Sequence, residues 1–202
     1  MRRLFPVAGF VLSVCGAASP LRAQALVPTE KLPTQTVCMD CHGPIGDSVK
    51  DTVPRLNGQT VEYLRRRLDD FRSPGSQDPH ATDAMWETVI NADDRMLSEV
   101  ADYYARQPPT PAKTGRPLAE AGYRLYLAGD LANQISGCAG CHGASGEGGG
   151  QVPRLAGQHG VYLKNQLERM RLNLRVSGAM HPKTNSMTDK QIEELVAYLA
   201  GE

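Results

Sequence analysis

Two copies of one short motif carry the residues with the clearest capacity for chemistry. Residues 38–42 are CMDCH and residues 138–142 are CAGCH, so each copy has two cysteines three positions apart and then a histidine. A C-x-x-C pair alone fits a redox disulfide, half a zinc site or a structural bridge, but the adjoining histidine is typical of covalent haem attachment. The sequence therefore predicts two covalently bound haems c, with thioethers at Cys38, Cys41, Cys138 and Cys141 and with His42 and His142 bound to the irons.

The other interpretations of this motif lack supporting residues. Zinc would need two further ligands for each pair of thiolates, and no second cysteine pair lies near either copy. A thioredoxin-type redox site would stand between a strand and a helix, a context that the sequence does not indicate. The fifth cysteine, Cys15, lies in the N-terminal segment, so every other cysteine belongs to one of the two motifs.

The motifs are part of a repeat that covers most of the chain. Residues 53–59, VPRLNGQ, are matched by residues 152–158, VPRLAGQ, and a Tyr-Leu pair follows each block. Between the copies, residues 108–117 hold four prolines and a glycine, which predicts an extended linker that uncouples the halves. The sequence thus predicts two haem domains, residues 26–107 and residues 118–202.

The spacing of apolar residues predicts helices in both halves. Residues 58–71 and 161–174 carry apolar side chains three and four positions apart, and Thr188 and Asp189 begin a last helix with the same pattern. No alternating run is long enough to be a strand, so the predicted fold is all-α. Aromatic residues make up only 5% of the chain, and domains this small need extra stabilisation, which a covalently bound haem would provide.

Residues 1–25 have the features of an export signal. Arg2 and Arg3 precede a short apolar run, Pro20 ends it, and residues 23–25, AQA, fit a cleavage site. An uncleaved membrane anchor is the alternative, but the run is shorter than the roughly 20 apolar residues that cross a bilayer. We predict a mature chain that starts near Gln24 or Leu26 and is located in the periplasm.

The charge balance excludes nucleic acid as a partner. The whole chain has 22 basic and 22 acidic side chains. All three charges in residues 1–25 are arginines, so residues 26–202 carry a net charge of −3. A protein this acidic lacks the basic surface that nucleic acid requires. Residues 26–107 carry a net charge of −5 and residues 108–202 a net charge of +2. This asymmetry either orients docking of a charged partner or is ordinary surface charge.

The repeat indicates the second axial ligand of each iron. The 95-residue offset that aligns Tyr103 with Tyr198 also places Met85 opposite Met180. We predict these two methionines as axial ligands, both in loops after the Tyr-Leu helix, with His181 as the rival of Met180. The remaining candidates have no counterpart: Met96, Met170 and Met187 are expected to fill gaps in the core, and His80 and His159 to lie on surface loops.

Residues next to the ligating histidines have two interpretations each. The carbonyls of Pro54 and Pro153 could accept the second imidazole N–H of a ligand histidine, or the prolines could only stiffen a loop. Arg55 and Arg154 could pair with haem propionates or remain solvated.

On these motifs the chain resembles the dihaem cytochromes c of the cytochrome c4 type, in the class I cytochrome c superfamily. The resemblance rests on the duplicated CxxCH, on PRLAGQ at 153–158 with its variant at 54–59, and on a late Met before a terminal helix that contains Tyr. It implies two tandem class I cytochrome c-like domains joined by the Pro-rich linker, His42–Met85 and His142–Met180 ligation, and electron transfer in the periplasm.

Two further features follow from the resemblance. Gly122 and Tyr126 look like the family's glycine–aromatic contact on the first helix of a domain, facing Leu195 and Tyr198. Residues 27–37 depart from the pattern, because they contain two prolines and lack that pair, so the first helix of the first domain is expected to be short or broken.

Two filled axial positions imply a carrier of electrons and not an enzyme. Electrons would pass by outer-sphere transfer through the haem edge, between partners such as respiratory oxidase or dehydrogenase complexes, with possible peripheral membrane association. The alternatives are a dihaem enzyme, either a peroxidase or a sulfur-compound dehydrogenase, and an electron-entry subunit of a larger dehydrogenase. The chain is short for a peroxidase, and no spare cysteine is present to ligate a sulfur enzyme's iron.

Overall fold

A computed structural model of the chain describes residues 35–73, 79–111, 117–175 and 180–200. The chain divides into two units, residues 1–30 and residues 31–202, and all of the described residues belong to the second. The predicted signal segment and most of the proline-containing segment 27–37 lie outside the described residues.

The described residues of the first half form four helices. These are α1 (Gln35–His42), α2 (Val61–Arg72), α3 (Pro79–Val89) and α4 (Asp94–Ala105). Helix α2 packs against both α3 and α4. Asp93 caps α4, because its carboxylate accepts a 2.8 Å hydrogen bond from the Met96 N–H. The buried core of this half is formed by Leu64, Val100, Ala101 and Tyr104.

The second half has the larger described core. Its described elements are α5 (Pro117–Ala128), β1 (Gly129–Asp130), a 3₁₀ turn (Leu131–Asn133), β2 (Ile135–Ser136), α6 (Ala139–His142), α7 (Gly160–Arg171), α8 (His181–Thr184) and α9 (Asp189–Ala200). Strands β1 and β2 form one antiparallel hairpin of two residues each, so the predicted all-α class is correct apart from this short pairing. None of the helices in the described ranges has the length and apolar character needed to cross a membrane.

The crossing of α5 and α9 holds this half together. A Cβ atom placed on Gly122 would lie 1.9 Å from the Glu194 carbonyl oxygen, so the two helix backbones touch at a position where only glycine fits. The Tyr126 ring is fully buried and its centroid lies 5.2 Å from that of Tyr198. The predicted contact of Gly122 and Tyr126 with α9 is therefore confirmed.

The predicted helices are present with slightly different ends. Residues 58–60 lie before α2, where residues 57 and 58 form a turn and Thr60 is extended, and α7 ends at Arg171, before a turn at residues 172 and 173. Helix α9 begins where predicted, since the Thr188 N–H donates to the Gln191 amide oxygen at 2.9 Å and the Gln191 N–H donates to the Thr188 hydroxyl at 3.2 Å. This reciprocal pair is a capping box.

The described part of the linker, residues 108–111, lies against both halves. Residues 108–111 pass over Gly58 and Gly157, where an added Cβ would lie 2.5 Å from the Pro109 Cβ and 2.0 Å from the Thr110 carbonyl oxygen, respectively. The Asn57 side-chain amide donates to the Pro108 carbonyl at 2.8 Å. Residues 108–111 of the proline-rich segment are thus fixed to the halves that the sequence suggested it would uncouple.

Candidate haem sites

Each C-x-x-C-H motif lies on one helical turn. Helix α1 carries the first motif, and α6 carries the second with one cysteine directly before it. Positions i, i+3 and i+4 of a helix share a face, so two thiols and one imidazole point to the same side in each half. The first cysteine of each motif, Cys38 or Cys138, is half-buried, and the second, Cys41 or Cys141, is exposed. The histidines His42 and His142 are both buried.

A proline carbonyl orients each of these histidines. The His42 Nδ1–H donates to the Pro54 carbonyl at 2.9 Å, and the His142 Nδ1–H donates to the Pro153 carbonyl at 2.9 Å. This bond fixes the neutral tautomer in which Nε2 has a free lone pair, the form that binds iron. Of the two interpretations of these prolines, the structure supports the carbonyl acceptor.

The environment of the imidazoles favours the neutral form. Burial lowers the pKa of His42 and of His142, and the hydrogen bond to the proline carbonyl opposes that effect in part. Both rings are therefore neutral at neutral pH. A neutral imidazole is the form that ligates a metal, since protonation would occupy the donor nitrogen.

The cysteines place each site against an apolar core. Cys38 packs on the core of the first half and Cys138 on the core of the second. Burial raises the pKa of Cys38 and raises the pKa of Cys138 to about 11. The four cysteines form no disulfides. Two thiols and one neutral imidazole beside an apolar cluster form a donor set that fits a covalently bound haem in each half.

The predicted axial methionines lie in different local structures. Met85 is part of α3, which corrects the prediction that it lies in a loop, whereas Met180 directly precedes α8. Residues 84–87, AMWE, include good helix formers, and a proline at the first position starts α3 favourably. Both methionine side chains are half-buried.

The other candidate ligands mostly lie in the core. Met170 and Met187 are buried, and Met187 packs among the apolar side chains of the second half, as expected for methionines that fill core gaps. Met96 is half-buried on α4. The side chains of His80 and His181 lie outside the described part of the chain.

His159 is not the surface residue that the sequence suggested. It is buried, and its Nε2–H donates to the Ser48 carbonyl of the other half at 2.7 Å. The arginines beside the two prolines also lie between the halves: the Arg55 guanidinium donates to the Gly157 carbonyl at 2.7 Å. The reason is that the VPRL blocks of the two halves pack against each other.

Gln59 and Gln158 join the two halves, although no motif in the sequence singles them out. Both are buried, and each forms hydrogen bonds with the backbone of the opposite half. The sequence does contain one indication of their role, since each glutamine ends one of the repeated blocks, residues 53–59 and 152–158. A buried glutamine needs hydrogen-bond partners, and its recurrence in both halves indicates that both halves provide them.

Comparison with known proteins agrees with this site. Residues 119–201 match the cytochrome c family. A cytochrome c4 from Thiocapsa roseopersicina is 35% identical over 171 residues, which cover 82% of this chain and 86% of that protein. The structure of cytochrome c4 from Acidithiobacillus ferrooxidans superposes with a TM-score of 0.76 at 32% identity and covers 83% of this chain and 99% of the other. A thiosulfate dehydrogenase electron acceptor from Stutzerimonas stutzeri is 32% identical, covering 83% of this chain and 80% of that protein.

The two motifs, the repeated helical halves and these similarities define a class of protein. It is a dihaem c-type cytochrome for electron transfer, with two tandem class I domains joined by a Pro-rich linker and two covalently bound haems c. Within that class, the chain belongs to the cytochrome c4 family.

Proposed function

We propose that the protein is a periplasmic carrier that passes electrons between a respiratory donor complex and an oxidase or reductase. Residues 1–25 are its signal peptide, and residues 26–107 and 118–202 are its two haem domains with residues 108–117 as the linker. His42 and Met85 ligate one iron, and His142 and Met180 ligate the other.

The observation that carries this proposal is the same histidine geometry in both halves. Each buried imidazole donates to a proline carbonyl at 2.9 Å, which leaves its Nε2 available to bind a metal. A single functional haem would require this arrangement in one half only.

The methionine ligands are supported by the repeat and by their exposure. Met85 and Met180 correspond at the offset that aligns the last helices of the two halves, and both are half-buried. A thioether opposite an imidazole favours ferrous iron and raises the reduction potential relative to two imidazoles. The other methionines of the second half are already part of its core.

Bound haem supplies a one-electron iron couple in each half, and the chain provides its environment. The cysteines hold the haem, the proline carbonyls fix the histidine rings, and the apolar clusters exclude water from the site. With His42 and Met85 holding one iron and His142 and Met180 the other, no position would be left for a substrate, so the bound haems would support outer-sphere electron transfer.

A second candidate is an acceptor for one particular dehydrogenase. The relative from Stutzerimonas stutzeri is a thiosulfate dehydrogenase electron acceptor, which favours a sulfur-oxidising enzyme as the donor in place of a respiratory complex. Both candidates use the same haem chemistry and differ in the docking partner.

Spectroscopy and partner assays test the proposal. The mature protein should contain two haems by mass spectrometry, and the ferric form should show the weak far-red absorption band of His–Met haem at the strength of two sites. Neither reduced haem should bind carbon monoxide. Full-stoichiometry binding at one haem would contradict the axial assignment in that domain. Rapid reduction by a thiosulfate dehydrogenase but not by respiratory complexes would favour the second candidate.

A further inference from the structure

The peptide unit behind each histidine is hydrogen-bonded at both ends. In the first half, the Pro54 carbonyl accepts the His42 Nδ1–H at 2.9 Å. The N–H of that same peptide, which belongs to Arg55, donates to Gln158 Oε1 of the second half at 2.8 Å. One amide group therefore connects the imidazole of one half to a glutamine of the other.

The second half repeats this arrangement in the opposite direction. The Pro153 carbonyl accepts the His142 Nδ1–H at 2.9 Å, and the Arg154 N–H of the same peptide donates to Gln59 Oε1 of the first half at 2.7 Å. The two halves thus exchange glutamines, and each histidine is backed by an amide whose donor is satisfied across the interface.

Further hydrogen bonds hold both glutamine amides in this orientation. Gln158 Nε2 donates to the Arg55 carbonyl at 3.0 Å, and Gln59 Nε2 donates to the Arg154 carbonyl at 2.9 Å. Each Oε1 also accepts the N–H of the following residue, at 3.1 Å for Gln158 and 3.0 Å for Gln59. Both side chains are 7% exposed, so water does not compete for these bonds.

The chain of hydrogen bonds affects the histidine through the amide. When a peptide N–H donates a hydrogen bond, the amide polarises and its carbonyl becomes a stronger acceptor. A stronger acceptor at Nδ1–H makes the imidazole a better electron donor at Nε2. Better donation stabilises ferric iron and lowers the reduction potential of that haem.

We propose that Gln158 tunes the potential of the first haem, bound in residues 26–107, and that Gln59 tunes the potential of the second haem, bound in residues 118–202. Both act as positioning residues across the domain interface. The inference rests on the proposed ligation of the irons by His42 and His142. It means that each potential depends on the docking of the opposite half, so a partner that shifts the halves changes both potentials together.

The test is a crossed shift of the two potentials in the full-length dihaem protein. In Gln158→Met the Arg55 N–H loses its acceptor, so the potential of the first haem should rise while that of the second changes less. Gln59→Met should raise the potential of the second haem in the same way. An NMR-monitored redox titration follows the haem methyl resonances of each half separately and gives both values.

Two variants separate this effect from a loosened interface. Gln158→Glu keeps an oxygen acceptor for the Arg55 N–H, so the potential of the first haem should stay at or below that of the wild type. Asn57→Ala removes the bonds to the linker without touching either histidine peptide, and residue 156, its counterpart, is already alanine. This variant should give no crossed shift.

A second readout follows the hydrogen bond itself. The His42 Nδ1–H resonance should move upfield in Gln158→Met, because its acceptor becomes weaker, and should not move in Asn57→Ala.

Equal shifts of both potentials in Gln158→Met, or the same rise in Gln158→Glu, would overturn the inference. If the wild type shows the far-red band at the strength of two sites but the variants show no crossed shift, this inference fails while the proposed ligation stands. If the bands are missing, the methionine ligation fails, and the crossed shift still decides the role of the glutamines because it acts through the histidines.

Discussion

At the scale of single residues, the site depends on which atoms of the histidine and methionine side chains are available. The proline carbonyl accepts the Nδ1–H of each buried histidine, which leaves Nε2 to bind a metal. The proposed second ligand in the second half is Met180, which stands just before the short helix α8, with the hydroxyl of Thr184 donating to its carbonyl at 3.4 Å. We therefore expect a change of Met180 to affect the second ligand of the iron and to leave the histidine side of the site intact.

Met180→Ala should open the axial position of the second haem. The ferric haem should then gain high-spin character, and the reduced form should bind carbon monoxide at one site per molecule. Met180→His should keep a six-coordinate, low-spin haem but lower its potential, because imidazole stabilises ferric iron better than a thioether does. Optical spectra and a redox titration measure both effects.

Met187→Ala is the control for this experiment. It removes a buried methionine from the core of the same half, which should cost about 2–5 kcal/mol of stability without changing the far-red band. The same spectral change in both variants would show that the band responds to packing and not to ligation.

At the scale of elements, the α5–α9 crossing sets the frame of the second haem domain. The close approach exists because Gly122 has no side chain, and Tyr126 and Tyr198 then pack together next to it. Tyr126 also donates from its hydroxyl to the Gly143 carbonyl, directly after the second haem motif. The crossing therefore reaches the haem attachment site through one buried side chain.

Gly122→Ala should destabilise the second half. The new methyl group would overlap the Glu194 carbonyl of α9, and overpacking of this kind costs about 1–3 kcal/mol. Gly140→Ala is the matched control, because a Cβ at that helical position meets nothing within 4 Å, and it should gain up to about 1 kcal/mol from helix propensity. Chemical denaturation of both variants measures the difference, and equal stabilities would contradict the tight crossing.

At the scale of the whole molecule, the halves are coupled through their VPRL blocks and the linker. The reciprocal glutamine bonds, the buried His159–Ser48 bond and the linker over Gly58 and Gly157 all lie at this interface. The sequence predicted independent halves, because a proline-rich linker usually separates domains. The structure gives a reason to expect that damage to one half reaches the other.

Replacing Cys138 and Cys141 by serine should remove one haem and also weaken the first half. Without its haem the second half cannot hold Gln158 in place, so the Arg55 N–H loses its partner. Mass spectrometry should show a single haem, and hydrogen exchange at the Arg55 amide should become faster than in the wild type. Unchanged exchange there would indicate that the halves are independent, as the linker composition alone suggested.

Gly157→Ala tests the contact between the linker and the second half. Its φ of +74° already disfavours other residues, and the added Cβ would lie 2.0 Å from the Thr110 carbonyl. Gly150→Ala is the control. Gly150 has a φ of +55°, and a Cβ added there meets nothing within 4 Å. This variant therefore shares the backbone strain of about 1–2 kcal/mol but not the clash. Gly157→Ala should therefore lower the unfolding temperature more, and it should speed exchange at the Arg55 and Arg154 amides. An equal loss of unfolding temperature in both variants would show that backbone strain alone explains the glycine at position 157.

The features that depend on local spacing could be predicted from the order of residues alone. Cysteines and a histidine at i, i+3 and i+4 define a haem motif wherever they occur, and the repeat of that motif gave the two domains and the two cofactors. The Gly122–Tyr126 contact with the last helix followed from the family pattern, because a glycine and an aromatic residue one turn apart on a helix make a recognisable surface.

The features that join residues far apart in the chain could be seen only in the folded structure. His159 lies in a sequence that reads as a polar loop, and it is buried only because the two VPRL blocks meet. Gln59 and Gln158 find their partners 95 and 103 residues away, a relation that no local pattern encodes. Met85 lies in a helix and not a loop. Hydrogen bonds of buried polar groups are set by whichever backbone the fold brings near them, which is why the coupling between the halves became visible only in three dimensions.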